Sequence, residues 1–356
     1  MAKFSTKTKT NADHYNVQLK RREGFLKNYS DRPLRAVVKG DDVIMHETSR
    51  GFRTGVYVGE DGDSPTLTMD AKKHEIDPGV RSTIARHSWD EMVFVMGGTG
   101  YTEVNGVRYD WKPWDALHIP SFAWYRHGND GDRPATIFTV SCEPIVSAFG
   151  LGMLDDAGHA DWDELDLTLY PTAPEQRGND PHSRQVRRLA QARASLEGRR
   201  IHTAYDDVEL LPTKRGSMTT FLVDEAIGNR TSGLTQAMKV YAPNEGESMH
   251  AHPGEAFLLA VEGEGYTYAG KEPTGGEDHH WKAGDLIVVD HFSWHKHNNT
   301  SDTDLARVVR FHLQASLGMI FRALASPLPL RHEPDWVFDQ VKDPTTLEWP
   351  DEKRPN

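Results

Sequence analysis

The feature that most constrains this chain is that part of it is written twice. At an offset of 165, Pro78 meets Pro243, His87 meets His252, and Gly98-Thr99-Gly100-Tyr101-Thr102 meets Gly263-Glu264-Gly265-Tyr266-Thr267. An insertion around Glu272 to Glu277 moves the offset to 170, at which Trp111-Lys112 meets Trp281-Lys282, Asp115 meets Asp285, Trp124 meets Trp294, His127 meets His297 and Asn129 meets Asn299. A length of 356 residues has room for two domains at roughly 150 residues each, and the repeat says that the two are alike. Short apolar runs such as Met92 to Met96, Thr136 to Val140, Leu234 to Tyr241, Leu286 to Val289 and Leu305 to Leu313 stand between clusters of Gly, Pro, Asn and Asp, the pattern of short strands. A strand-rich unit removes its exposed edges by closing on itself, so the expected fold is all-β with one barrel per half.

Helical pattern is sparse. Val186, Leu189 and Leu196 predict one helix over Ser183 to Glu197, its arginines forming a solvated face. The expected organisation is an N-terminal arm (1–60), a first barrel (61–154), a linker carrying that helix (155–200), a second barrel (201–325) and a C-terminal tail (326–356).

Eight of the 18 histidines fall between His250 and His312. Two pairs there are separated by one residue, His250/His252 and His295/His297, where chance supplies about one in a chain of this composition. Residues i and i+2 of a strand share a face, so His250 and His252 are expected to project into one barrel. His295, from another strand, would complete a face of three nitrogens that leaves coordination positions open, the arrangement of a reactive metal site. The repeat supplies a control: where the second copy has His250 and His295, the first has Ala85 and Tyr125. The first barrel keeps His87, Glu91 and His127 and is expected to hold no metal. Ala256 stands where the first copy has Glu91, and Glu255 should face the other way by strand alternation, which leaves three imidazoles without a carboxylate.

Charge narrows the partners. Lys+Arg 41 against Asp+Glu 53 gives −12 with the basic residues scattered, so no nucleic-acid surface is expected. The single Cys142 and the absence of a long apolar run predict a cytoplasmic protein with no membrane span. His46-Glu47 is followed by Arg50 where a zinc-protease helix needs its second histidine, and there is no phosphate loop, CxxC pair or dinucleotide fingerprint.

The segments His250-Ala251-His252, Ala256 and Gly263, then Gly284-Asp285 and Trp294-His295-Lys296-His297-Asn298, resemble the two motifs of the cupin superfamily, here present twice. Among bicupins the chain is most similar to the gentisate 1,2-dioxygenase group, with its salicylate- and 1-hydroxy-2-naphthoate-cleaving members, which likewise use three histidines and lack the cupin glutamate. Val261-Glu262-Gly263-Glu264-Gly265 and Trp124 to Asp132 read like that group. The resemblance implies two double-stranded β-helix (jelly-roll) barrels with short flanking helices, Fe(II), and O₂-dependent cleavage of a hydroxylated or amino-substituted aromatic acid. In that group the metal usually sits in the first cupin, whereas here the triad stands in the second.

On this reading His250, His252 and His295 are metal ligands, His297 is catalytic, orienting the ligands from behind or transferring a proton, and His291, Arg310 and His312 contact substrate. Three neutral imidazoles leave Fe(II) its double charge, which a phenolate beside a carboxylate would neutralise by chelation. Mn, Ni or Zn in the same triad would make a non-redox lyase, isomerase or hydrolase, and a ligand-binding bicupin without turnover is the third reading. A dimer or tetramer is expected.

Overall fold

The structure is a computed structural model that describes residues 20–21, 36–59, 66–167, 180–181, 183–184, 199–231, 233–252, 254–313 and 335–355. The helix expected over Ser183 to Glu197 lies outside the described residues beyond Arg184. Each half is a pair of antiparallel sheets. In the first, a seven-stranded sheet runs His202–Thr203, Ala116–Ile119, Glu91–Gly97, Ala135–Ser141, Asp70–Ile76, Arg53–Val58, His46–Glu47, and faces a five-stranded sheet built on Ala85–His87, Tyr125–Gly128 and Gly100–Val104. In the second, the order is Val37–Val38, Leu286–Val289, Ala256–Glu262, Ala306–Leu313, Leu234–Tyr241, Met218–Val223, Leu211–Pro212, opposite a three-stranded sheet of Glu277–Lys282, Glu264–Gly270 and Trp294–Asn299.

The two large sheets lie back to back, which explains why their strands read as unbroken apolar runs. In Ala256–Glu262, Phe257 and Leu259 join the core shared by both halves, while Ala256, Leu258 and Ala260 line the interior of the second barrel. Phe138 and Phe311 meet across the shared core with ring centroids 5.7 Å apart. The glycine of the repeated turn is required by its backbone: Gly98 and Gly263 have φ of 74° and 75°, and a Cβ would meet Ala135 Cα at 2.8 Å or the Leu305 carbonyl oxygen at 2.3 Å.

The expected boundaries at 60/61 and 200/201 need correction. Val37–Val38, His46–Glu47 and Arg53–Val58 are integral strands of the sheets, and the first strand of each repeat is exchanged: Val37–Val38 pairs with Leu286–Val289 of the second barrel, and His202–Thr203 with Ala116–Ile119 of the first. The repeated aspartates fasten the exchange. Asp285 accepts from Gly40 N (3.0 Å) and Lys39 Nζ (2.9 Å), and Asp115 accepts from Tyr205 N (2.9 Å) and lies 3.1 Å from His202 Nε2. Part of the linker is also sheet, since Leu154–Asp156 adds an edge strand beside Ala85–His87. The tail packs down: Lys353 N donates to Glu262 Oε1 (2.8 Å), and Glu352 reaches Arg307 at 3.4 Å. Among the described residues no helix is long and apolar enough to cross a membrane.

Candidate metal centre

His250 and His295 are directly opposed in an isolated antiparallel bridge, each backbone N–H bonding to the other's carbonyl at 3.0 and 2.9 Å. The expectation of a regular strand through His250 and His252 is therefore met only by a bridged, extended segment, which still sends both rings inward. Phe292 N donates to the His252 carbonyl (2.8 Å), which ties the third ring to the loop feeding His295. That loop holds Phe292 at φ 58°, and its repeat counterpart Phe122 at 62° bonds to His87 O in the same way.

One ring nitrogen from each of His250, His252 and His295 lies within 4.8 Å of the other two, and the ring centroids are 4.2 to 5.7 Å apart. In every case Nδ1 faces a carbonyl two residues away, Ser248 O (2.9 Å), Gly254 O (3.0 Å) and Ser293 O (2.8 Å). A carbonyl can only accept, so each Nδ1 carries the proton and each Nε2 presents a lone pair. Burial keeps the rings neutral: His295 is lowered to about 4, and His250 and His252 fall well below their ordinary value. Three neutral, preoriented imidazole acceptors fit a divalent transition metal.

These rings open into a cavity of about 250 Å³, also lined by Arg215, Lys239, Glu247, His297, Arg310 and His312. His312 lies with its ring 4.7 Å from that of His252, and Arg310 Nη2 is 3.5 Å from Thr235 Oγ1. His297 is held by Thr267 Oγ1 at Nδ1 (2.7 Å), and Thr267 in turn accepts from Trp281 Nε1 (3.1 Å). His291 does not join them. Its Nδ1 is 3.3 Å from Asp290 Oδ1 and 3.9 Å from Glu255 Oε1, and it is not among the residues that line this cavity. Glu255, Asp290 and His291 form a second cluster of ligating types, but Glu255 already accepts from Leu67 N, Thr68 N and Thr68 Oγ1 and works as a latch between the barrels.

Arg215, Lys239 and Glu247 were not among the expected site residues. Arg215 Nη1 meets His250 Nε2 at 2.8 Å. Its signal was in the sequence: Thr213-Lys214-Arg215-Gly216 matches Thr48-Ser49-Arg50-Gly51 at the same offset of 165, upstream of the Pro78/Pro243 pair. Lys239 and Glu247 form a buried ion pair; Lys239 is lowered to about 8 by burial against the pull of Glu247. Burial also opposes the charge of Glu247, yet Lys239, His297 and Arg215 outweigh it and hold the carboxyl down at about 2.

The first barrel repeats the frame without the triad. Trp111 Nε1 donates to Thr102 Oγ1, which meets His127 Nδ1, as in the second. Tyr125 stands opposite Ala85 in the register of His295 and His250. Arg50 donates to the Tyr125 hydroxyl (2.9 Å) and stacks over its ring at 4.7 Å, so a guanidinium fills the corner that Tyr125 takes from a third imidazole.

The cupin domain model matches residues 73–141 and 237–310, which are the two barrels just described. Each half of the chain thus contains a region that matches the cupin domain. Over 96 residues it is 33% identical to 5-aminosalicylate 1,2-dioxygenase from a Comamonas species, and over 94 residues 31% identical to gentisate 1,2-dioxygenase 1 from Aquipseudomonas alcaligenes. These matches cover 27% and 26% of this chain and only 25% and 27% of the relatives' lengths. Among solved structures, salicylate 1,2-dioxygenase from Pseudoaminobacter salicylatoxidans in complex with gentisate aligns over 93% of this chain and 97% of its own, with a TM-score of 0.58 and 15% identity. Procruciferin, an 11S globulin from Brassica napus, aligns over 80% of this chain and 85% of its own, with a TM-score of 0.55 and 12% identity. One fold thus serves unlike proteins, and function has to be argued from the site.

Proposed function

We propose that this protein is a ring-cleaving dioxygenase that acts with Fe(II) and O₂ on an aromatic acid carrying a hydroxyl next to its carboxylate. The observation that carries the reading is the composition of the second cupin's cavity: three converging neutral imidazoles with no carboxylate among them, faced by Arg215, Lys239 and Arg310. His250, His252 and His295 would hold the iron, which supplies Lewis acidity toward the phenolic oxygen and one-electron chemistry toward O₂. Against that centre, the excess of cations over Glu247 and Asp224 favours a dianionic, chelating ligand. Arg215 and Arg310 are the donors for its carboxylate, and a guanidinium can grip that group with two parallel bonds.

His297, neutral because burial lowers it to about 3, is held rigidly at Nδ1 and orients the bound acid from beside the triad. The cavity, somewhat below the roughly 300–1,000 Å³ of drug-sized sites, suits a single ring. Leu258 and Ala256 give that ring an apolar wall and exclude water. The named activities of the relatives, on 5-aminosalicylate, 5-nitrosalicylic acid and gentisate, support the same substrate class. Exposed Phe149, Leu151, Met153 and Leu154, beside the edge strand Leu154–Asp156, support assembly into a homo-oligomer.

The test is oxygen uptake by protein loaded anaerobically with Fe(II). One O₂ consumed per 2-hydroxybenzoate-type acid, and none with benzoate or phenol, is the expected result. Conversion of the acid at the same rate without O₂ would overturn it in favour of non-redox metal chemistry.

A further inference from the structure

Among the described residues Glu247 is the fully buried carboxylate that lines the cavity of the imidazole triad, and its two oxygens are not alike. Oε2 is bound by Lys239 Nζ. Oε1 is buried and, among the described residues, has no donor in good hydrogen-bonding geometry: His297 Nε2 stands 3.5 Å away, and the Tyr241 hydroxyl, near enough to interact with Glu247, is buried without a well-formed hydrogen bond of its own. A buried carboxylate oxygen left bare is costly, and a ligand that brings a donor removes that cost. The internal repeat shows that this arrangement belongs to the triad-bearing barrel. At offset 165 the first barrel has His74 and Ser82 in place of Lys239 and Glu247. Those two are neutral and satisfied, His74 by Thr54 (2.8 Å) and Thr139 (3.0 Å), Ser82 by the His127 N–H (3.0 Å) and the Thr83 carbonyl (3.0 Å). The charged pair thus appears where the imidazole triad appears, and it lines the same cavity.

We infer that Glu247 is a specificity-determining residue, whose Oε1 accepts a hydrogen bond from a hydroxyl or amino group on the substrate ring, distinct from the hydroxyl next to the carboxylate. The inference rests on the cavity being a site for a metal-chelating aromatic acid. Lys239 is the positioning residue: it ties down Oε2 so that Oε1 stays turned to the cavity. A ring carrying such a donor leaves no polar atom unpaired on binding, whereas an unsubstituted ring, or one carrying only acceptors such as a nitro group, leaves Oε1 bare. Sites built to accept a substrate N–H or O–H discriminate strongly against analogues that lack it.

The experiment is calorimetric binding to the full-length protein loaded with Zn(II), which is redox-inert, so that turnover plays no part. The probes are 2-hydroxybenzoate, 2,5-dihydroxybenzoate, 5-amino-2-hydroxybenzoate and 5-nitro-2-hydroxybenzoate, with zinc content measured for every variant. Wild type is expected to bind the hydroxy and amino acids at least about tenfold tighter than the unsubstituted and nitro acids. In Glu247→Leu that ratio falls to within about threefold while zinc stays bound. Because Glu247→Leu strands a buried lysine, Lys239→Met/Glu247→Leu, which replaces the pair with apolar groups, serves if the single variant does not fold, and the same collapse is expected. A ratio that persists in either folded variant overturns the inference, as does loss of zinc from the variant, which would make Glu247 a metal ligand. If none of the four acids binds the wild-type protein, the reading of the cavity itself fails; if all four bind with equal affinity, only the role of Glu247 fails.

Discussion

Arg215 and a metal ion want the same lone pair. The guanidinium donates to His250 Nε2 at 2.8 Å, and Nδ1 of that ring faces the Ser248 carbonyl, so Nε2 is the only atom that His250 can offer to a cation. Coordination therefore requires the Arg215 bond to break. A buried hydrogen bond from a charged donor contributes about 1.5–3 kcal/mol, and at 1.4 kcal/mol per decade this is a handicap of about 10- to 150-fold on metal affinity. Arg215→Met removes the donor and a positive charge while keeping an apolar stem of similar length. The variant is expected to bind Zn(II) at least about tenfold tighter than wild type, read by competition with a chromogenic chelator at pH 7.5. The same variant should bind 2-hydroxybenzoate more weakly, because the displaced guanidinium is no longer there to meet the carboxylate. Equal or weaker zinc binding by Arg215→Met would refute the reasoning, since it would mean that His250 Nε2 is not where the ion binds.

Other outcomes follow from the same geometry. His252→Ala should lose both metal and oxygen uptake, whereas His87→Ala, in the first barrel, should keep its metal; elemental analysis of the two proteins decides this. The triple change Ala85→His/Tyr125→His/Arg50→Met rebuilds three imidazoles on the first barrel's intact Trp111–Thr102–His127 frame, so metal content should rise from one to two ions per chain, and an unchanged content would contradict the equivalence of the barrels. Burial lowers His74 to about 3 and His87 to about 4, and puts His127 well below 6.5. The unfolded chain takes up their protons near pH 6.5 and the folded protein does not, so stability is full above that pH and declines below it, by up to about 1.4 kcal/mol per histidine per pH unit. Urea midpoints at pH 7.5 and 5.5 should differ accordingly, and equal midpoints would contradict it. Phe311→Ala, which empties part of the core shared by the barrels, should cost about 3–5 kcal/mol in the same assay.

Some of this was legible in the chain and some was not, for physical reasons. The repeat carried the two barrels because its glycine turn and its Trp–Thr–His frame are each fixed by contacts that recur in both copies. The convergence of His250, His252 and His295 was legible because side chains two positions apart on an extended segment share a face. The exchange of Val37–Val38 and His202–Thr203 was not, since a strand of two residues shows no periodicity and its partner is set by tertiary packing. Arg215 could have been found by carrying the repeat back to Thr48 and Thr213. That His291 lies beside Asp290 and Glu255 was not legible, because a turn histidine next to an aspartate looks the same in sequence whether it faces the cavity or the latch. Lys239 and Glu247 stand where the first copy has His74 and Ser82, so the repeat did not mark them, and a lone lysine in the apolar strand Leu234–Tyr241 was their only trace.

The most direct test of the whole account is a crystal structure of the protein soaked with Fe(II) under nitrogen, with anomalous data collected at the iron edge. The account predicts one peak per chain, about 2.1 Å from the Nε2 atoms of His250, His252 and His295, with Arg215 turned away from His250. A peak in the first barrel, or one among Glu255, Asp290 and His291, would contradict it.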